Sequence, residues 1–418
     1  MEARLRSLNS ELSQLLHELE SEYVEEVKTL QSIPQDPKTI PPPNPEVSKA
    51  VELLNNVQKI LTPPLHTVID GMFGFTVSKA LSTAVTCGVS DIIEANGPLT
   101  AAQIAEHTVP KTASGPLSQL LRLLASSGIF THREVDDTFD NNAPSFLLTK
   151  SHWTQWYRWA ELYPTRFYDI FANLEPAMAH DEQRTATHIT YNAEAAEPLF
   201  TLVSRLPWAK QFFETIGAGS TAMAPGILAD YPWLELIPGP VCDLAGGNGE
   251  FLFTILNEFQ DMKGALLELD GSMALKSAKE NFQAESGKFL TVTERVIAIH
   301  AGDMFAKIPS YPFYTIRWTL HNWSDDQAVM ILKNVRDSIQ QAKHTGSRLL
   351  IIEAMVTNEK MARPALYGSA VMLSGSKGGK ERTEHEWRSL CDRSGWIIHM
   401  IYRPRNCIPN ILDLRVAD

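Results

Sequence analysis

Three sets of residues in this sequence have types and spacings that could do chemistry. The first is Asp243-Leu244-Ala245-Gly246-Gly247-Asn248-Gly249, which closes an apolar run begun at Val241 and opens an amphipathic segment from Glu250 to Phe259. That order reads as strand, tight loop, helix. Glycines let the backbone approach a ligand closely and adopt dihedrals that a Cβ forbids. A dinucleotide fingerprint needs G-x-G-x-x-G, and counted from Gly247 the last position is Leu252, which disfavours NAD and FAD. No G-x-x-x-x-G-K-[ST] run is present for a P-loop. What remains, an acidic residue ahead of G-G-x-G, is the arrangement used for S-adenosylmethionine. The second set lies in Gly264-Ala265-Leu266-Leu267-Glu268-Leu269-Asp270, an apolar strand ending in carboxylates. An acid about 20 residues beyond a glycine loop, at the tip of the next parallel strand, is placed to bind a ribose diol. Glu268 is the better candidate and Asp270 the second. The third is His321, in Arg317-Trp318-Thr319-Leu320-His321-Asn322-Trp323-Ser324-Asp325-Asp326. A neutral imidazole there could take a proton from a hydroxyl nucleophile. A lone histidine in that place could equally cap the helix that follows it.

The elements that must position these groups follow from pattern. Strand-like runs Val241–Leu244, Ala265–Leu269, Val296–His300, Phe313–Trp318, Leu349–Glu353 and Trp396–Tyr402 alternate with helical ones after Pro207. This predicts an α/β, doubly wound Rossmann-like sheet with its ligands at the carboxyl ends of the strands. Ahead of it, Val47 to Leu148 is mainly helical, and 128–131 with 145–148 read as the two strands of a winged-helix-like wing. Its candidate recognition helix, Pro116 to Ser127, carries Arg122 as its one base and is rich in leucine. Nucleic-acid binding needs clustered Lys and Arg, so no nucleic-acid partner is expected. The aromatic segment Trp153 to Ala179 reads as a long connecting helix, with Phe167, Phe171 and Met178 as candidate pocket residues. At the N-terminus Leu5, Leu8, Leu12, Leu15, Leu16, Leu19, Tyr23, Val27 and Leu30 form one apolar helical stripe, followed by prolines at 34, 37, 41, 42, 43 and 45. Such a stripe must be buried, and a second subunit is the expected object, with a self-contained helical hairpin as the other solution. The division expected is 1–46 (helix and Pro-rich linker), 47–160 (winged-helix-like) and 161–418 (connecting helices and Rossmann-like domain).

Composition agrees with two ordinary domains: 418 residues, 44% apolar, with a net charge of −12 that disfavours anionic partners such as nucleic acid or membrane. Cys87, Cys242, Cys391 and Cys407 form no C-x-x-C pair, which predicts a reduced, cytoplasmic protein without a metal site. No apolar run approaches the ~20 residues of a membrane span, and the charged N-terminus is unlike a signal peptide.

In order along the chain, the glycine loop, Gly302-Asp303-Met304-Phe305, Leu320-His321-Asn322-Trp323-Ser324-Asp325 and Gly379-Lys380-Glu381-Arg382-Thr383 resemble the plant-type and fungal small-molecule O-methyltransferases. The resemblance covers nearly the whole chain. It implies an S-adenosylmethionine-dependent enzyme whose winged-helix-like region is a dimerisation module, hence a homodimer. It implies that Asp243, Gly246, Gly247 and Gly249 surround the methionine part of the cofactor and that Glu268 binds its ribose. Asp303 and Met304 fall on adenine contacts, and Arg317 stands where a lysine near the adenine is usual. His321 falls on the general base, with Glu353 and Glu381 on the carboxylates that flank it. Ala245, Asn322 and Pro312 depart from the family pattern, replacing a glycine and two aspartates. They keep open a second reading, in which a relative binds the cofactor without transferring methyl and instead catalyses dehydration and pericyclic ring closure of a polyketide–pyridone.

Overall fold

A computed structural model of the chain describes residues 2–22, 44–237, 239–283, 285–341 and 344–417. The chain forms two compact units, one of residues 1–173 with 200–222, the other of 174–199 with 223–418.

In the first unit, Asn44 Oδ1 accepts from the backbone of Glu46 and Val47, so that Pro45 opens a helix where its missing N–H costs nothing. This helix, α2 (Pro45–Leu61), packs against α1 (Glu2–Glu22): Leu12 and Leu15 are buried with Ala50 and Leu53, flanked by Leu8 and Val47. Two leucines of the stripe, Leu12 and Leu15, therefore find cover inside their own chain, while Leu16 stays exposed. The side chains of Leu5 and Leu19, together with Tyr23, Val27, Leu30 and the prolines from 34 to 43, lie outside what is described.

Helices α3 (Pro64–Thr86), α4 (Val89–Asn96), α5 (Ala101–His107) and α6 (Ser114–Ser126) enclose a core that includes Ala84, Ile93, Ile104, Leu121, Leu124 and Phe139. A three-stranded antiparallel sheet joins them, from β1 (Leu99–Thr100), β2 (Thr131–Arg133) and β3 (Thr138–Asp140) in the order β1-β3-β2. The wing thus differs from expectation. Asp137, at φ 50°, reverses the chain early, while Asn142 and Ser145 exchange hydrogen bonds as a capping box that starts a short helix, α7 (Ala143–Phe146), where a strand was expected.

The connecting helix is also broken. Pro164 cannot donate to the ladder, and a π-helical turn, Tyr163–Phe167, separates α8 (Tyr157–Leu162) from α9 (Tyr168–Phe171). Trp156, Trp159, Tyr163 and Phe167 follow one another in ring contact, with centroids 5.1, 5.1 and 4.8 Å apart.

The second unit begins with α10 (Leu174–Ala177) and α11 (Ala186–Thr190), then builds one sheet. Parallel strands β4 (Val241–Leu244), β5 (Gly264–Glu268), β6 (Val296–Ala301), β7 (Phe313–Arg317) and β8 (Arg348–Val356) carry α12 (Glu250–Glu258), α13 (Met273–Gln283) and α14 (Asp325–Gln341) between them. After β8 come α15 (Arg363–Gly375), β9 (Arg382–Thr383), α16 (Glu384–Ser394), β10 (Trp396–Tyr402) and β11 (Pro409–Val416). The order is β10-β11-β8-β7-β4-β5-β6, with β9 pairing β8. The six expected strands are present, and β9 and β11 add to them. β11 was not foreseen although Ile411, Leu412 and Leu414 are apolar, because Asp413 interrupts them. Asp413 is buried and paired with Arg415 and Arg348, at 3.0 and 3.7 Å. Being antiparallel to both β8 and β10, β11 needs no crossover helix.

Candidate active site

The glycine loop leaves β4 with Asp243 inside the sheet, where its Oδ1 accepts from Thr315 Oγ1 at 2.7 Å. Burial pushes the Asp243 carboxyl up to about 6, against the Thr315 hydrogen bond and the Arg317 charge, which pull it down. A Cβ on Gly246 would stand 2.7 Å from Asp243 Oδ2, and one on Gly249 would strike the Phe282 ring. Gly247 has φ 61° and open space where a side chain would go. Its N–H donates to Glu268 Oε2 at 2.8 Å, and Leu269 N–H donates to Oε1 at 3.0 Å. Burial raises the Glu268 carboxyl, while those two backbone N–H groups and the Ser272 hydroxyl work to lower it.

The neighbouring strand ends line up with this loop. Gly302 N–H donates to Glu268 O, which brings exposed Asp303 beside it. Met304 is half-buried against the core, its carbonyl accepting from Asn334 Nδ2. Arg317 is half-buried with its guanidinium 4.6 Å over the Phe251 ring of α12. Burial lowers its pKa, while Asp243, Glu250 and Glu353 favour its charge. The space at Gly247, the carboxylate at the strand tip and the N-terminus of α12 all fit S-adenosylmethionine.

His321 rides on a single 3-10 turn after β7. Glu353, on β8 and fully buried, accepts at Oε1 from both Thr319 N–H and Leu320 N–H, each at 2.8 Å, and so fixes that turn. Its Oε2 lies 3.2 Å from His321 Nδ1, and Glu381 Oε1 lies 2.7 Å from the same atom. Both carboxylates address Nδ1, which leaves Nε2 as the ring nitrogen for another partner. The helix that follows takes its cap from Ser324, so His321 is not the capping residue. Burial by itself would lower the imidazole, but Glu353 and Glu381 outweigh it and push it up to about 9. Burial also raises the Glu353 carboxyl, against the pull of His321.

Several residues that hold this arrangement carry no sequence signal of that role. Arg382 is fully buried and donates to Leu320 O, Trp323 O and Asp325 Oδ1 at 3.0, 2.7 and 2.9 Å. Lys380 N–H donates to His321 O at 2.9 Å. A Cβ on Gly379 would stand 2.8 Å from that carbonyl, so the Gly378-Gly379 pair was the one visible sign of a close approach. Phe167 and Phe171 belong to the first unit, and Met178 lies exposed in the second, just after α10.

A mixed, mainly parallel sheet with a glycine loop at β4, an acid at β5 and a carboxylate-held histidine after β7 fits a cofactor-dependent group-transfer enzyme. The O-methyltransferase domain model matches residues 171–397, and the O-methyltransferase dimerisation domain model matches residues 69–151. The chain is 39% identical to the O-methyltransferase sirM of Leptosphaeria maculans over 87% of its length and 86% of that protein. It is 32% identical to the O-methyltransferase verK of Clonostachys rogersoniana over 99% of its length and all of that protein, 100%. Among solved structures it is similar to the mitomycin 7-O-methyltransferase MmcR, with a TM-score of 0.65, 26% identity, and cover of 84% of this chain and 97% of that one. The chain belongs to the O-methyltransferase family, and its cofactor is S-adenosylmethionine.

Proposed function

We propose that this enzyme methylates a hydroxyl of a small aromatic or polyketide secondary metabolite, with His321 as general base. The observation that carries the reading is the double carboxylate contact at Nδ1, which holds the ring by one nitrogen and turns the other over to the acceptor. The cofactor supplies a methyl group on a sulfonium for in-line displacement. Asp243 and the glycine loop hold its methionine end, Glu268 its ribose, and Asp303 and Met304 its adenine. His321 Nε2 takes the acceptor's proton as the new bond forms, and Glu353 and Glu381 stabilise the imidazolium. The two carboxylates raise the imidazole above its ordinary value, which makes its neutral form a stronger base toward a phenol and shifts the pH at which that form is present upward. Secondary metabolism is supported by likeness to an enzyme named for mitomycin.

The pocket assignments of Phe167, Phe171 and Met178 belong to this proposal, as does assembly. The first half of α3 is apolar and exposed on every side: Leu65, Val68, Met72 and Phe73 are between 53% and 67% accessible. Such a surface is stable in water only when covered. Within the region that the dimerisation model reaches, a second copy of the chain is the cover we infer.

Incubation with methyl-labelled cofactor and candidate phenols tests the reaction. Labelled product heavier by one CH₂ is expected. An unlabelled isomer formed only with cofactor present would replace this reading with the ring-closing one.

A further inference from the structure

The chain enters the second unit at Leu174, runs over it to Leu199, and returns to the first at Phe200. Several contacts of this excursion fall on one short run, Ser374 to Lys377, which leads to Glu381. Thr187 Oγ1 donates to Ser374 O at 2.9 Å. The Leu199 side chain packs at Gly375, 3.0 Å from where a Cβ would stand. Lys377 Nζ donates to Ala177 O at 2.9 Å and to Glu182 O at 2.8 Å, closing the turn that carries exposed Met178. Ala177 ends α10, where carbonyls lack helical partners and a cation is favoured.

On its other side the same run has no slack. Gly378, at φ 79°, packs on Ser324, and Gly379 packs on the His321 carbonyl, so closely that a Cβ at either would stand 3.0 or 2.8 Å from them. Lys380 N–H then bonds His321 O at 2.9 Å, and Glu381 Oε1 meets His321 Nδ1 at 2.7 Å. From Lys377, which bonds the Met178 turn, two glycines and one backbone hydrogen bond lead to His321.

We propose that Lys377 is a positioning residue: it latches the 177–182 turn to the loop bearing Glu381 and, through that loop, holds the Glu381–His321 contact. The proposal rests on the reading of His321 as the base. An ammonium is suited to it, because it can donate to two carbonyls at once.

Lys377→Met and Lys377→Arg in the full-length enzyme test this, with hydrogen exchange, calorimetry with S-adenosylmethionine and pH-dependent kinetics on a methylated acceptor. Lys377→Met is expected to speed exchange in residues 174–199, leave cofactor affinity unchanged, and lower kcat by about 10- to 10²-fold, the scale of a misplaced catalytic group. The pH midpoint of kcat should also move down, because Glu381 is no longer held on the ring. Lys377→Arg, which keeps the donors, should restore most of the rate and the midpoint. A Lys377→Met enzyme with wild-type kcat and midpoint overturns the proposal. So does one that loses cofactor affinity and gains exchange across β4 to β8 while its midpoint stays fixed, since that is a structural role alone. Failure of the base reading is recognised separately: His321→Gln would retain full turnover with Lys377 intact.

Discussion

His321 is the residue on which the proposed chemistry turns, and its surroundings dictate how it should respond to pH. Only neutral imidazole accepts a proton, and the two carboxylates keep the ring protonated up to about 9 in the cofactor-free site. Activity should therefore rise with pH, with kcat/KM levelling off above about 9 rather than near 6.5. Glu381→Gln removes one of the charges that favour imidazolium, so its rise should come at lower pH and reach a lower plateau. A midpoint unchanged by that substitution would remove Glu381 from the pair. His321→Gln should leave cofactor binding intact by calorimetry and lower kcat by about 10²–10⁴-fold, the usual contribution of a positioned base. Near-wild-type turnover would reject the role. Ala245 offers a test of stability at the same scale. It holds φ 52°, a conformation that costs a residue with a Cβ about 1–2 kcal/mol. Ala245→Gly should raise the midpoint of thermal unfolding, offset in part by the freedom glycine gains in the unfolded chain.

At the scale of elements, the loop after β4 shows what the sequence could and could not say. Its glycines were legible because each answers a local demand: Gly246 and Gly249 admit no Cβ, and Gly247 and Gly249 take positive φ. Gly247→Trp should fill the open space beside the loop and weaken cofactor binding by tenfold or more, ~1.4 kcal/mol at least. Calorimetry with unchanged affinity would move the cofactor elsewhere. The elements misread are those in which a contact overrode a pattern. The capping box at Asn142 turned an apolar tetrapeptide into a helix start, and Pro164 cut an aromatic helix with a π turn. β11 stayed hidden because a strand interior normally excludes a carboxylate, and two arginines and the Tyr231 hydroxyl make Asp413 tolerable there.

For the whole molecule, burial relocated the surface through which copies are proposed to meet. The leucine stripe of α1 pointed to a partner, but Leu12 and Leu15 spend their apolar surface on α2. Leu16 of the stripe stays exposed, and the first half of α3 is the longer bare apolar surface. Met72→Glu with Phe73→Glu, both exposed in the single chain, should leave the fold intact and yield a monomer by sedimentation at micromolar concentration. A dimer that survives both charges would place the contact on another face. Among the described residues no single helix is long and apolar enough to cross a membrane.

The sequence by itself determined the alternation of strands and helices, the glycine loop, the order of the motifs and the identity of the histidine. These follow from periodicity and from steric demands that act over a few residues. Only the tertiary structure decided that Glu353 and Glu381, the latter 60 residues beyond His321, meet one nitrogen of its ring and leave the other available. It also decided how strong a base that makes, because the strength of a charge interaction depends on distance and burial, and sequence separation encodes neither.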